Sequence, residues 1–137
     1  EPEVCYLGDY DLTRFGPWYG DRDGSIEGTI ASVRRLQQVP AKVWLTSHED
    51  GCFEGDIAAA CDAYLAVIDE REAKLLDFLG EPRSIDDIVA ACLVYRKPRE
   101  PKAFFEWGEG AIMGKHLERL LKCGAITLED GRYRRLP

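Results

Sequence analysis

The sequence predicts an α+β chain in two parts, and three observations carry that reading. Short apolar runs at Val4–Leu7 and Val43–Thr46 flank a helical periodicity, the pattern of a βαβ-like unit covering one sheet face. A long helical stripe follows, then two further helices and a short Asp-Gly turn between two strand-like runs. The charge also changes sign: residues 1–94 carry 8 basic and 19 acidic side chains, residues 95–137 carry 10 basic and 6 acidic. Such a change marks two modules. We place them at 1–69 and 70–137.

The elements follow from local chemistry. Gly8-Asp9 breaks the first strand. Ser25 is a good N-cap for a helix whose apolar positions Ile26, Ile30, Val33 and Leu36 share one face, and Pro40 ends it. Val43–Thr46 is the second strand, and Asp50–Gly55 reads as a polar loop. Asp56 caps a long helix with the stripe Ile57, Cys61, Tyr64, Ile68, Leu75 and Leu79. Arg71 occupies the stripe position between Ile68 and Leu75, so the helix is expected to loosen or change partner there. Gly80 and Pro82 stop it. Ser84 with Asp87 three residues on is a capping-box variant, and Ile85, Ile88, Val89 and Cys92 form the apolar face of the short helix it starts. Lys97–Lys102 is a basic, proline-containing loop. A third helix is expected from Gly108 to Cys123, with Ile112, Leu117, Leu120 and Leu121 inward and Gly124 at its end. Ala125–Leu128, Asp130-Gly131 and Arg132–Leu136 complete a hairpin. Helix, helix, helix, hairpin is the order of a winged helix-turn-helix.

Composition excludes several function classes. With 45% apolar and 31% charged residues the chain is globular, and no apolar run approaches the ~20 residues of a membrane-spanning helix. A net charge of −7 argues against general nucleic-acid affinity. Five cysteines, an odd number without C-x-x-C spacing, read as buried reduced thiols of a cytoplasmic protein rather than a thiolate zinc site.

The chemistry concentrates in Leu7–Gly20, LGDYDLTRFGPWYG, and in Thr46-Ser47-His48-Glu49. Both are apolar runs ending in a metal-ligand type, Asp9 and His48, at the C-terminal ends of strands, where sheet proteins keep their sites. This order resembles the second half of a metallo-β-lactamase-fold hydrolase: a strand ending in Gly-Asp, a helix, and a strand ending in Ser-His. The tail, with Val94-Tyr95, nearby prolines and KHLERLLKCGAI before the wing, is similar to the winged-helix extension that many of these hydrolases carry. The resemblance implies a partial metallo-β-lactamase-type αβ layer followed by a winged helix-turn-helix. It implies that Asp9 bridges two divalent ions, zinc or iron, and that His48 binds the second. The superfamily signature H-x-H-x-D-H is absent, since the chain has only two histidines, His48 and His116. The chain therefore reads as the C-terminal part of such a metallohydrolase, not catalytic and without bound metal on its own. Its first partner would be the N-terminal half of the same protein.

Other residues carry weaker expectations. Asp11 is a candidate for the substrate pocket or for bonding nearby backbone amides. Trp18 and Tyr19 either wall a pocket or pack on the sheet. Lys115, Arg119, Arg132, Arg134 and Arg135 are the candidate nucleic-acid contacts of a winged helix, although the acidic balance makes nucleic acid an unfavoured partner. His116 reads as an exposed or partly packed histidine. The alternative function is a winged-helix DNA-binding or dimerisation module without catalysis, with homodimerisation through exposed strand edges and no membrane role.

Overall fold

The computed structural model describes residues 3–48 and 51–137. Glu1, Pro2, Glu49 and Asp50 lie outside the described residues, and with them Glu49 of the Thr46–Glu49 motif and the start of the expected polar loop. The chain divides into two compact units: residues 1–18 with 24–69, and residues 19–23 with 70–137.

In the first unit, β1 (Val4–Tyr6), α1 (Ile26–Leu36) and β2 (Val43–Leu45) form a βαβ arrangement with β1 and β2 parallel, Cys5 opposite Trp44. Alternation along each strand sends Trp44 inward, where it is buried and donates from Nε1 to the Gly55 carbonyl at 2.9 Å. Val4, Tyr6 and Leu45 alternate to the opposite, exposed face. Helix α1 starts at Ser25, whose hydroxyl accepts from the Gly28 amide at 3.0 Å. It buries Ile26, Thr29 and Val33.

A third strand, β3 (Cys52–Glu54), pairs antiparallel with β2 where a loop was expected. The run Cys-Phe-Glu has no strand signature of its own. Its backbone is extended because the edge of β2 offers unpaired donors and acceptors.

Helix α2 (Ala58–Phe78) begins where the Asp56 carboxylate accepts from the Ala58 amide at 2.9 Å. It contributes to the first unit as far as Asp69 and to the second from Glu70. Of the two expectations at Arg71, loosening does not occur, while the division between the units falls beside it, between Asp69 and Glu70. The helix is continuous, and Arg71 keeps its place in the buried stripe at 2% exposure because its guanidinium finds a hydroxyl acceptor there.

In the second unit, α3 (Ile85–Ala90), α4 (Lys102–Lys122), β4 (Ile126–Glu129) and β5 (Arg132–Arg135) follow the end of α2. The capping box forms in full: the Ser84 hydroxyl accepts from the Asp87 amide at 3.1 Å, and the Asp87 carboxylate accepts from the Ser84 amide at 2.8 Å. Ser84→Ala is expected to destabilise this unit by about 1 kcal/mol, read as a lower denaturation midpoint with an unchanged slope. Helix α4 starts at Lys102 rather than Gly108. The two glycines at 108 and 110 suggest a boundary, but they are interior, and Gly108 lies against Tyr95, whose hydroxyl occupies the space a Cβ would take. Ile112, Leu117 and Leu120 are buried as expected, whereas Leu121 and Ile85 are exposed. Of the cysteines, all free, only Cys61 is buried.

The hairpin turns at Asp130-Gly131, both at positive φ. A bridge between Arg83 and Tyr133 adds a third extended segment beside it, through hydrogen bonds of 2.9 and 2.7 Å.

Candidate functional site

Backbone pairing carries Asp9 and His48 to the same place. β1 and β2 run parallel, so their C-terminal ends lie side by side. Pairing continues past the strands: the Leu7 amide donates to the Leu45 carbonyl at 2.8 Å, and the Ser47 amide to the Gly8 carbonyl at 3.0 Å. Gly8 takes φ +60, a left-handed turn that suits glycine and swings the chain out of the strand. The Tyr64 hydroxyl donates to the Asp9 carbonyl at 3.4 Å, and the Thr46 hydroxyl to the His48 carbonyl at 2.9 Å. Both residues are thus held by their backbones, leaving the side chains to face each other. Asp9 Oδ1 lies 3.3 Å from His48 Nε2, with both side chains more than half exposed. An exposed pair of this kind contributes little stability.

Beside His48 opens a cleft of about 300 Å³ lined by Asp11, Leu12, Thr46, Cys52 and Phe53. Asp11 also accepts from the Thr13 amide at 3.1 Å, a local turn bond. Trp18 is half-buried and Tyr19 buried, and neither lines this cleft. Cys52 and Phe53 reach it because β3 exists, a pairing that no local pattern signals.

The donor chemistry suits a divalent ion. Two ligands of one tetrahedral zinc sit roughly 3.3 Å apart, given metal–ligand bonds of about 2.0–2.1 Å. The number falls short: zinc takes three or four protein ligands, and among the described residues no group of three or more His, Cys, Asp or Glu is placed to hold a metal. Asp9 and His48 are of the ligand types such an ion takes and number two of the three or four it needs.

Tyr19 instead belongs to a buried polar chain in the second unit. Arg71 Nη1 donates to the Tyr19 hydroxyl at 3.2 Å, which lies 2.8 Å from His116 Nε2. His116 Nδ1 lies 3.0 Å from Glu72 Oε2, which also accepts from Arg119 at 3.2 Å. Arginine only donates, so the tyrosine oxygen receives that bond and its own proton goes to Nε2. His116 is then the neutral tautomer with its proton on Nδ1, donated to Glu72. Burial holds the His116 pKa below its ordinary value against the opposing pull of Glu72, and burial raises that of Tyr19. The expectation of an exposed or partly packed histidine is thereby corrected: His116 is wholly buried, because its helix turns it toward Tyr19 and Glu72.

The candidate nucleic-acid cations are partly engaged. Besides Arg119, Arg132 pairs with Asp87 at 3.4 Å, and Lys115 donates to the Arg22 carbonyl at 3.1 Å. Arg134 and Arg135 are exposed on β5. Among the described residues no helix is long and apolar enough to cross a membrane.

The chain matches the crystal structure of a β-lactamase domain protein from Burkholderia ambifaria with a TM-score of 0.65 and 22% identity, over 97% of this chain. The fold resembles that of a β-lactamase domain protein. The match spans 41% of that protein's length. No family model and no curated protein matches the chain. The likeness supports a metallo-β-lactamase-like fold for this mixed α+β chain.

Proposed function

We propose that this chain is the C-terminal part of a metal-dependent hydrolase of the metallo-β-lactamase superfamily, with residues 70–137 as a winged-helix extension. Asp9 and His48 supply two of the ligands for two divalent ions. The observation that carries the reading is the 3.3 Å approach of Asp9 to His48 at the ends of adjacent parallel strands. The remaining ligands come from the N-terminal half of the same protein, whose docking would also cover the exposed Val4, Tyr6 and Leu45. When bound, such ions hold a hydroxide at neutral pH and polarise a carbonyl or phosphoryl oxygen. In this chain Tyr64 and Thr46 position the two ligands through their backbones, and Asp11 lines the adjoining cleft that would take the substrate. The winged-helix reading is supported by the order α2, bridge residue Arg83, α3, α4, β4, β5. A cytoplasmic location belongs to the same proposal, in keeping with five free thiols.

The test uses the longer protein that contains this chain. Asp9→Ala and His48→Ala are each expected to lose about half or more of the bound metal, measured by elemental analysis, and at least ~100-fold in hydrolysis. Full metal content and full activity in both variants would refute the assignment.

A further inference from the structure

A second cleft lies wholly within the second unit, between α3, the loop 92–101 and the first half of α4. It measures about 240 Å³, slightly below the roughly 300 Å³ at which drug-sized ligand sites begin, so it takes one small ligand. Its apolar side is aromatic. Tyr95 and Phe105 meet edge to face at 4.9 Å, and both line the cleft. Ring contacts continue outward along α4, from Phe105 to Phe104 at 5.4 Å and from Phe104 to Trp107 at 6.2 Å, and these last two rings are each 57% exposed.

The polar side is cationic, and the accounting of charge is uneven. Lys97, Arg99 and Lys102 line the cleft together with Glu106 and Glu109. The Glu109 carboxylate faces the backbone, accepting from the Val94 amide at 2.8 Å and the Tyr95 amide at 3.2 Å. Burial also raises its pKa above the ordinary carboxylate value. Nearby Glu100 is turned to the Lys102 amide at 2.9 Å. Glu106 serves only Lys102, at 3.5 Å. Among the described residues Lys97 has no anionic partner, and Arg99 has only the Phe105 ring, 5.9 Å from its guanidinium carbon. Two cations therefore stand uncompensated at the mouth of an aromatic slot.

We propose that this cleft binds a nucleoside phosphate, with the base against the Tyr95 and Phe105 rings and the phosphate on Lys97 and Arg99. Aromatic faces accept any base by stacking, while cations hold the phosphate. The ligand is either a free nucleotide or the unpaired end of a nucleic-acid strand, whose next bases would stack on Phe104 and Trp107. The site is independent of Asp9 and His48.

The experiment is calorimetric titration of the full chain at low salt with AMP, adenosine, inorganic phosphate, a single-stranded pentanucleotide and pentaglutamate. AMP is expected to bind at least about tenfold tighter than adenosine or phosphate, and the double variant Lys97→Ala/Arg99→Ala to weaken it by at least about tenfold. Phe105→Leu weakens AMP and leaves phosphate unchanged. A strand end as the natural ligand gives tighter binding of the pentanucleotide, lost in Phe104→Ala. A free nucleotide gives equal binding of both, untouched by Phe104→Ala. No binding of AMP or pentanucleotide at millimolar concentration overturns the proposal. So does full affinity in the Lys97/Arg99 variant, whose side chains are on an exposed loop. Pentaglutamate matching AMP would make the cleft a docking site for acidic protein segments and overturn it too.

Discussion

Replacing His116 by alanine is expected to lower the stability of the fold by about 3–5 kcal/mol. The ring is wholly buried, so its removal leaves a cavity with a cost comparable to other large-to-small core changes. It also strands two partners: the Tyr19 hydroxyl loses its acceptor at 2.8 Å, and Glu72 keeps only Arg119. His116→Gln, which refills part of the space and can bond one neighbour, should recover some of the loss.

The same residue predicts a pH dependence. In the fold its pKa lies below 6.5, its ordinary value, so the unfolded chain binds the proton more readily. Stability is fully present above pH 6.5 and falls as pH drops from there through the folded-state pKa, by up to about 1.4 kcal/mol per pH unit for one proton. The groups facing the ring are Arg71 and Glu72 from α2, Arg119 from its own helix, and Tyr19. Glu109, with its pKa raised by burial, acts with the opposite sign from pH 4.5 upward. The difference between the parent chain and His116→Gln isolates the histidine. Denaturant titrations from pH 5 to pH 8 should show that difference shrinking as the solution is acidified; parallel profiles would sink the neutral, buried tautomer.

The second large effect is expected at Glu109. Its carboxylate is the acceptor for two adjacent backbone amides, Val94 and Tyr95, where the chain leaves α3 and enters the loop over the second cleft. Glu109→Leu leaves a buried and a part-buried donor without acceptors, at about 1–3 kcal/mol each, for a total of about 2–6 kcal/mol. Glu109→Gln keeps one acceptor oxygen and should cost roughly half as much. Equal stability of both variants and the parent, by urea denaturation at pH 7, would mean that the loop finds other acceptors. Because this carboxylate also floors the cleft, Glu109→Leu should raise protease sensitivity between Cys92 and Pro101 more than elsewhere.

Much of the secondary structure was legible because its causes are local. Apolar runs at Val4 and Val43, the helical period after Ser25, the Ser84–Asp87 capping box and the Asp130-Gly131 turn each act within a few residues, and each forms. The candidate site was legible as two separate strand ends. The βαβ pattern implied parallel strands, but not that β1 and β2 are adjacent with Cys5 opposite Trp44, and only that pairing sets Asp9 beside His48.

Where the reading failed, a distant partner decided. Cys52–Glu54 became a strand because β2 had an open edge. Glycines at 108 and 110 did not stop α4, because Gly108 admits the Tyr95 hydroxyl against the helix backbone. Arg71 and His116 carry polar groups whose transfer from water is unfavourable alone, so sequence places them at a boundary and on a surface. Tyr19, Glu72 and Arg119 supply their hydrogen bonds from other parts of the chain, and with those bonds made both can be buried. By itself the sequence determined the α+β class, most element positions and the ligand-type residues at two strand ends, all set by short-range sterics and periodicity. Strand neighbours, the buried Arg71–Tyr19–His116–Glu72 chain and the aromatic-basic cleft depend on groups far apart in sequence, whose meeting only the tertiary structure decides.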